Sequence, residues 1–168
     1  SSPSSSSTSK SSYWTPLPPL PIQIRDHTIT SLIYQSTPTI LIYGGISKIA
    51  SSSKSIASNN HVYKYNTETG VTDILPAVSF NGRPEPRFGH TAWLWKDSMY
   101  IASGFTQDYV SDIWRFDIQG FKINTNSTWR EVATTGSQPL GSYGSSLTKI
   151  YETESNQIVI SFGGVGSG

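Results

Sequence analysis

The stretch that decides the fold is Ile40-Leu41-Ile42-Tyr43-Gly44-Gly45, an extended apolar run that stops on a glycine pair. It returns as Met99-Tyr100-Ile101-Ala102-Ser103-Gly104-Phe105, and again as Ile158-Val159-Ile160-Ser161-Phe162-Gly163-Gly164, about sixty residues apart each time. A fixed period of this kind marks a repeat architecture, in which no single unit buries its own apolar face. The glycines of the first and last pairs, with Gly104 in the middle run, are expected where backbones crowd and a Cβ has no room.

The same order surrounds each run. His27 to Tyr34 alternates enough to be a first strand, Thr39 to Tyr43 is a second, His61 to Asn66 a third and Val71 to Leu75 a fourth. Thr67-Glu68-Thr69-Gly70 is the turn between the last two. The second unit opens at Arg87-Phe88-Gly89-His90-Thr91, runs through Thr91–Trp95, Met99–Ser103 and Asp112–Asp117, and closes on Thr128–Val132. A third unit holds Gly144–Tyr151 and Gln157–Phe162. The expected boundaries are a serine-rich disordered linker at 1–12, an outer strand of a preceding unit at 13–15, and units at 26–76, 87–133 and 142–168.

Composition agrees with short strands and turns. In 168 residues there are 14 Gly, 10 Pro, 9 Tyr and 5 Trp, and only 14% are charged. A net charge of +1 supplies no basic stripe for a nucleic-acid backbone. With no cysteine, disulfides, thiolate metal sites and a cysteine nucleophile are excluded from these residues. No apolar run is long enough to be inserted in a membrane. The opening serine and the unfinished third unit predict a fragment or processed product.

These residues resemble the kelch motif, and what carries the resemblance is a set of elements in fixed order. A basic residue and His-Thr open the first strand (Arg25/His27-Thr28, Arg87/His90-Thr91). Glycines close the second (Gly44-Gly45, Gly104-Phe105), and an aromatic-x-aromatic-acid or amide run forms the third (Tyr63-Lys64-Tyr65-Asn66, Trp114-Arg115-Phe116-Asp117). Trp129 lies in the fourth, and Trp14 stands where a preceding fourth strand would put its own. The middle unit lacks a second glycine after Gly104, and Ser142-Tyr143-Gly144-Ser145 replaces the Arg-x-x-His opening. The resemblance implies an all-β fold: a kelch-type β-propeller segment of four-stranded antiparallel blades, similar to the galactose oxidase central domain, with about two and a half blades present. Propellers close with about 4–8 blades, so further blades of the same parent chain are expected, and the piece alone is expected to expose apolar blade faces and aggregate.

The candidate residues divide into structural and binding sets. His27, Gly44, Gly45, His90, Gly104, Trp114, Trp129, Gly163 and Gly164 recur with the repeat, which assigns them to blade packing; His27 and His90 are expected to tie neighbouring blades together by hydrogen bonds. Asp108, Asp112 and Asp117 read as turn and surface carboxylates. No catalytic, cofactor or metal site is expected, and without cysteine the copper and cysteine–tyrosine site of the oxidase relatives has no counterpart. Loops on a rigid scaffold are where binding residues gather, and Arg83, Asp108 and Tyr109 are the expected ligand contacts among 46–60, 76–87, 106–110 and 135–142.

The functional expectation is a non-catalytic kelch-repeat scaffold that binds protein partners through loops on one face, not nucleic acid. Two alternatives are a fragment of an oxidase-like propeller enzyme and a piece of a membrane-tethered cell-surface kelch protein. Pro16 and Pro19 also have P-x-x-P spacing, a reading as a polyproline ligand. The sequon Asn126-Ser127-Thr128 admits the secretory route beside the cytoplasm and leaves the compartment open.

Overall fold

Apolar side chains on alternate positions about each glycine run give every strand two usable faces, so the sheets stack face to face. The computed structural model describes residues 14, 16–34, 36–47, 57–75, 77–79, 82–118 and 127–166. Sixteen strands are formed among them: β1 (Ile24–Arg25), β2 (Thr28–Tyr34), β3 (Thr37–Tyr43), β4 (Ile46–Ser47), β5 (Ala57–Ser58), β6 (Val62–Asn66), β7 (Thr72–Leu75), β8 (Ala77–Ser79), β9 (Thr91–Trp95), β10 (Ser98–Ala102), β11 (Ile113–Asp117), β12 (Ser127–Glu131), β13 (Ser142–Tyr143), β14 (Ser146–Glu152), β15 (Gln157–Phe162) and β16 (Val165–Gly166).

The first blade is the four-stranded sheet β2-β3-β6-β7, antiparallel throughout. The second is β9-β10-β11-β12, and β8 adds a fifth strand, parallel to β12. Part of the 76–87 segment, expected as loop, is therefore strand. The third unit is the hairpin β14-β15. The described sheets thus form part of a β-propeller with the expected four-stranded antiparallel blades, and among the described residues they do not close a ring. The expected linker at 1–12, residues 13 and 15 of the expected outer strand, most of the 46–60 loop (48–56) and the insertion with its sequon residue Asn126 lie outside the described residues. Trp14 is fully exposed and outside any strand.

The main core fills the seam between the two blades. Leu41, Tyr43 and Val62 from the first meet Met99, Ile101, Trp114, Phe116 and Trp129 from the second, all buried. Trp129 is at the centre of an aromatic run, 5.0 Å from Tyr43 and 4.9 Å from Phe116 between ring centroids. Burying such side chains supplies roughly 1.5–3 kcal/mol each.

The two outer faces are treated differently. Ile42, Tyr63 and Tyr65 on the far side of the first blade are packed by Leu20, Ile22 and Ile24. The Tyr65 hydroxyl donates to the carbonyl of Pro18 at 3.1 Å. The proline-rich segment thereby lies along its own blade. On the third unit Ile158, Ile160 and Phe162 are exposed, the last at 81%.

Candidate functional site

The glycine-pair end of each unit is built by one repeated backbone device. Gly45, Gly104 and Gly164 have φ of 88°, 104° and 91°, and the residues before them, Gly44, Ser103 and Gly163, have 67°, 61° and 75°. Gly104 therefore occupies the second glycine place and Ser103 the first, which corrects the pairing of Gly104-Phe105 with Gly44-Gly45. A Cβ on Gly45 would lie 2.6 Å from the Arg25 carbonyl oxygen, and one on Gly104 would lie 2.9 Å from the His90 Cβ. Close approach and positive φ both demand glycine there.

The backbone also links unit to unit in the same way twice. Gly45 N donates to Arg87 O at 2.9 Å, and Gly104 N donates to Ser142 O at 2.7 Å. Gly89 N donates to Asp26 O at 2.9 Å, and Gly144 N donates to Gly89 O at 2.8 Å. Asp26, Gly89 and Gly144 share a left-handed φ of 56°, 61° and 72°. In this alignment Ser142 stands in the place of Arg87 and Ser145 in that of His90. Arg25 falls opposite Phe88, so it is not the counterpart of Arg87: Arg25 is exposed, whereas Arg87 is 1% exposed.

Behind this end lies a buried polar seam. Arg87 holds Asp112 through its two terminal guanidinium nitrogens, Nη1 and Nη2, and Nη1 also donates to Ser103 O at 3.0 Å. The Trp114 indole N–H donates to the same carboxylate at 2.6 Å. Burial pushes the Asp112 pKa up, but the Arg87 hydrogen bond and charge, with Trp114, outweigh it and hold the group below the usual carboxylate range. His90 Nε2 lies 2.7 Å from Thr28 Oγ1, joining the second blade to the first. Burial, then the Arg87 and His27 charges, pushes the His90 pKa down to about 3. Burial likewise lowers His27, against the opposing charge of Asp26.

The surface of this end is aromatic. Phe88 and Phe105 form a two-way backbone bridge, and Phe105 bridges on to Tyr109. Their rings, with that of Tyr143, form a chain with centroid spacings of 5.2–5.7 Å. Asp108 is exposed at its edge and accepts from Tyr109 N at 2.7 Å. The structure thus brings Asp108 and Tyr109 together in one braced loop. Arg83 is exposed on the linker before Arg87, and among the described residues no hydrogen bond or ion pair joins it to either.

Sequence reasoning missed Phe88, Phe105 and Tyr143 as surface members, although each follows or precedes a repeat landmark by one or two positions. It also missed the Arg87–Asp112 clasp, which is 25 residues apart in the chain. Among the described residues no three His, Cys, Asp or Glu side chains come together as a metal site, and no helix is long and apolar enough to cross a membrane.

The KLHDC2/KLHL20/DRC7 Kelch-repeats domain model matches residues 7–167. No curated protein matches the chain. Repeated glycine turns, four-stranded blades and the inter-unit bonds agree with that match over nearly all of the sequence, and the chain belongs to this kelch-repeat family.

Proposed function

We propose that this segment is a non-catalytic scaffold that binds a protein partner at its glycine-pair end, with Arg83, Asp108 and Tyr109 as contacts. Kelch-repeat domains are generally protein-interaction scaffolds and are typically non-enzymatic. The observation that carries the reading is the loop from Gly104 to Val110. Val110 N donates to Gly104 O at 3.1 Å and Phe105 pairs with both Phe88 and Tyr109, so the loop is held in one shape while Asp108 faces solvent. A pre-formed loop with a half-buried tyrosine and an exposed charge loses little entropy on binding, and Tyr and Arg are the types that dominate interface energies.

The test compares partners captured by the parent protein with those captured by the variant Arg83→Glu/Asp108→Lys/Tyr109→Ala, at matched melting temperature. A control variant, Glu154→Lys, changes an exposed charge at the tip of the third hairpin. The proposal expects at least one protein to be lost by the triple variant and kept by the control. Identical partner sets in all three would overturn it.

A further inference from the structure

We propose that the glycine-pair end of the seam between the first two blades is an acid-opened latch: uptake of a proton by His90 parts the blades at that end while the aromatic part of the seam stays packed. The latch is distinct from the binding surface above and does not depend on it.

The two parts of the seam are held by different forces. At the glycine-pair end the links are polar. His90 Nε2 lies 2.7 Å from Thr28 Oγ1, Gly45 N donates to Arg87 O at 2.9 Å, and Gly89 N donates to Asp26 O at 2.9 Å. Away from that end the seam is apolar, with Leu41, Val62, Met99, Ile101, Phe116 and Trp129 all buried. A few hydrogen bonds contribute far less net stability than the burial of that many large side chains, so the polar end is the weaker one.

His90 is wedged into it. A Cβ on Gly44 of the first blade would stand 2.7 Å from His90 Cε1, and one on Gly104 of the second would stand 2.9 Å from His90 Cβ. The residue is 4% exposed, and its Nδ1 has no hydrogen-bond partner among the described residues. Neutral, the ring needs only the Thr28 hydroxyl. Protonated, it carries a buried charge and a second N–H donor with no acceptor.

The surrounding groups do not relieve that state. Arg87 on its own segment and His27 before β2 both repel the charge. The Asp112 carboxylate is taken up by Arg87 and Trp114. Asp26 acts on His27. Tyr43, whose ring meets the imidazole at 5.3 Å, is held neutral by burial against the charges of Arg87 and Arg83. The proton is therefore taken up where the ring turns out to water, and that movement breaks the Thr28 bond. Gly89 precedes His90 in the chain, and Gly45 follows the Gly44 on which the ring packs, so both backbone links are released with it.

The experiment is amide hydrogen exchange by NMR on the 168-residue chain at pH 7.5 and pH 5, corrected for intrinsic rates and repeated in low urea. With a folded His90 value of about 3 against the ordinary 6.5, the opening reported by the Gly45 and Gly89 amides should rise about thirtyfold at pH 5. Both amides should be less protected than those of Met99 and Ile101 and insensitive to urea, while the latter pair keep the urea dependence of global unfolding. In His90→Gln the rise should shrink to about threefold or less. In Thr28→Val the two amides should open more readily at both pH values, with the rise retained. Equal protection and equal urea dependence at Gly45, Gly89 and Ile101 would overturn the latch, because the seam would then part only on global unfolding. So would an undiminished rise in His90→Gln, or unaltered exchange in Thr28→Val. If His90→Gln does not fold, the urea series on the parent chain and the Thr28→Val comparison decide alone.

Discussion

Arg87 and Asp112 meet through two parallel N–H···O bonds, at 2.5 and 2.8 Å, although only the carboxylate has access to water. A guanidinium this deeply enclosed depends on its partner, because an unpaired buried charge is far more costly than a paired one. Asp112→Ala is expected to cost about 3–5 kcal/mol of stability. The double variant Arg87→Met/Asp112→Leu is expected to cost clearly less than Asp112→Ala alone. Denaturant unfolding of the three proteins measures this, and a double variant as unstable as the single would show that the pair is not the origin of the loss.

His90 makes the fold sensitive to mild acid. Its folded pKa of about 3 lies below the ordinary histidine value of 6.5, so the unfolded chain takes up the proton first. Stability is full above about pH 6.5 and falls as pH drops toward 3, by about 1.4 kcal/mol for each pH unit. At pH 5 the expected loss from His90 is about 2 kcal/mol. His27, also lowered, adds in the same direction. Unfolding free energy measured between pH 7.5 and 5 should fall less steeply in His90→Gln; an unchanged slope would assign the effect to other groups.

Ser103 and Gly104 give opposite responses to substitution. Ser103 adopts a left-handed φ of 61° with a side chain attached, so Ser103→Gly is expected to stabilise by about 0.5–1 kcal/mol. Gly104 has φ of 104° with His90 Cβ 2.9 Å from where its own Cβ would sit. Gly104→Ala is expected to cost about 1–3 kcal/mol or more, since strain and clash add. Thermal melts of both variants decide the matter, and a shift of equal sign in the two would contradict it.

Trp129 closes the seam between blades from β12, the fourth strand of the second. It is 1% exposed and contacts Tyr43 across the seam. Trp129→Ala is expected to cost about 3–5 kcal/mol, with Trp129→Phe nearer to the parent because the tilted ring contacts with Tyr43 and Phe116 partly survive. Urea unfolding followed by the remaining tryptophans is the check.

Much of the strand plan was legible in the chain. Val62 to Asn66 and Ile113 to Asp117 alternate with period two, and each forms the third strand of a blade. Asn66 was legible as a turn residue, since its side chain accepts from the amides of Glu68 and Thr69. The part of the proposed site in Asp108 and Tyr109 was legible as a loop position, but not its bracing by Phe105 and Phe88. Arg25 and Arg87 looked alike because spacing to a following histidine differs by only one residue. Their environments are opposite, one exposed and one enclosed, and no local pattern encodes that. The parallel pairing of Ala77–Ser79 with β12 left no signal either, because strand partners distant in sequence are chosen by how sheets stack.

By itself the sequence determined the repeat, the β character and the place of the glycine turns, because these follow from side-chain periodicity and from which residue can do without a Cβ. Only the tertiary structure decided that Ser103 stands in a glycine's place and that Arg87 holds Asp112. It alone decided that one seam is filled by Tyr43 and Trp129 while the next holds a cavity beside Ala102. Those outcomes depend on volumes and hydrogen-bonding groups brought together from different units, and such complementarity exists only once the sheets have met.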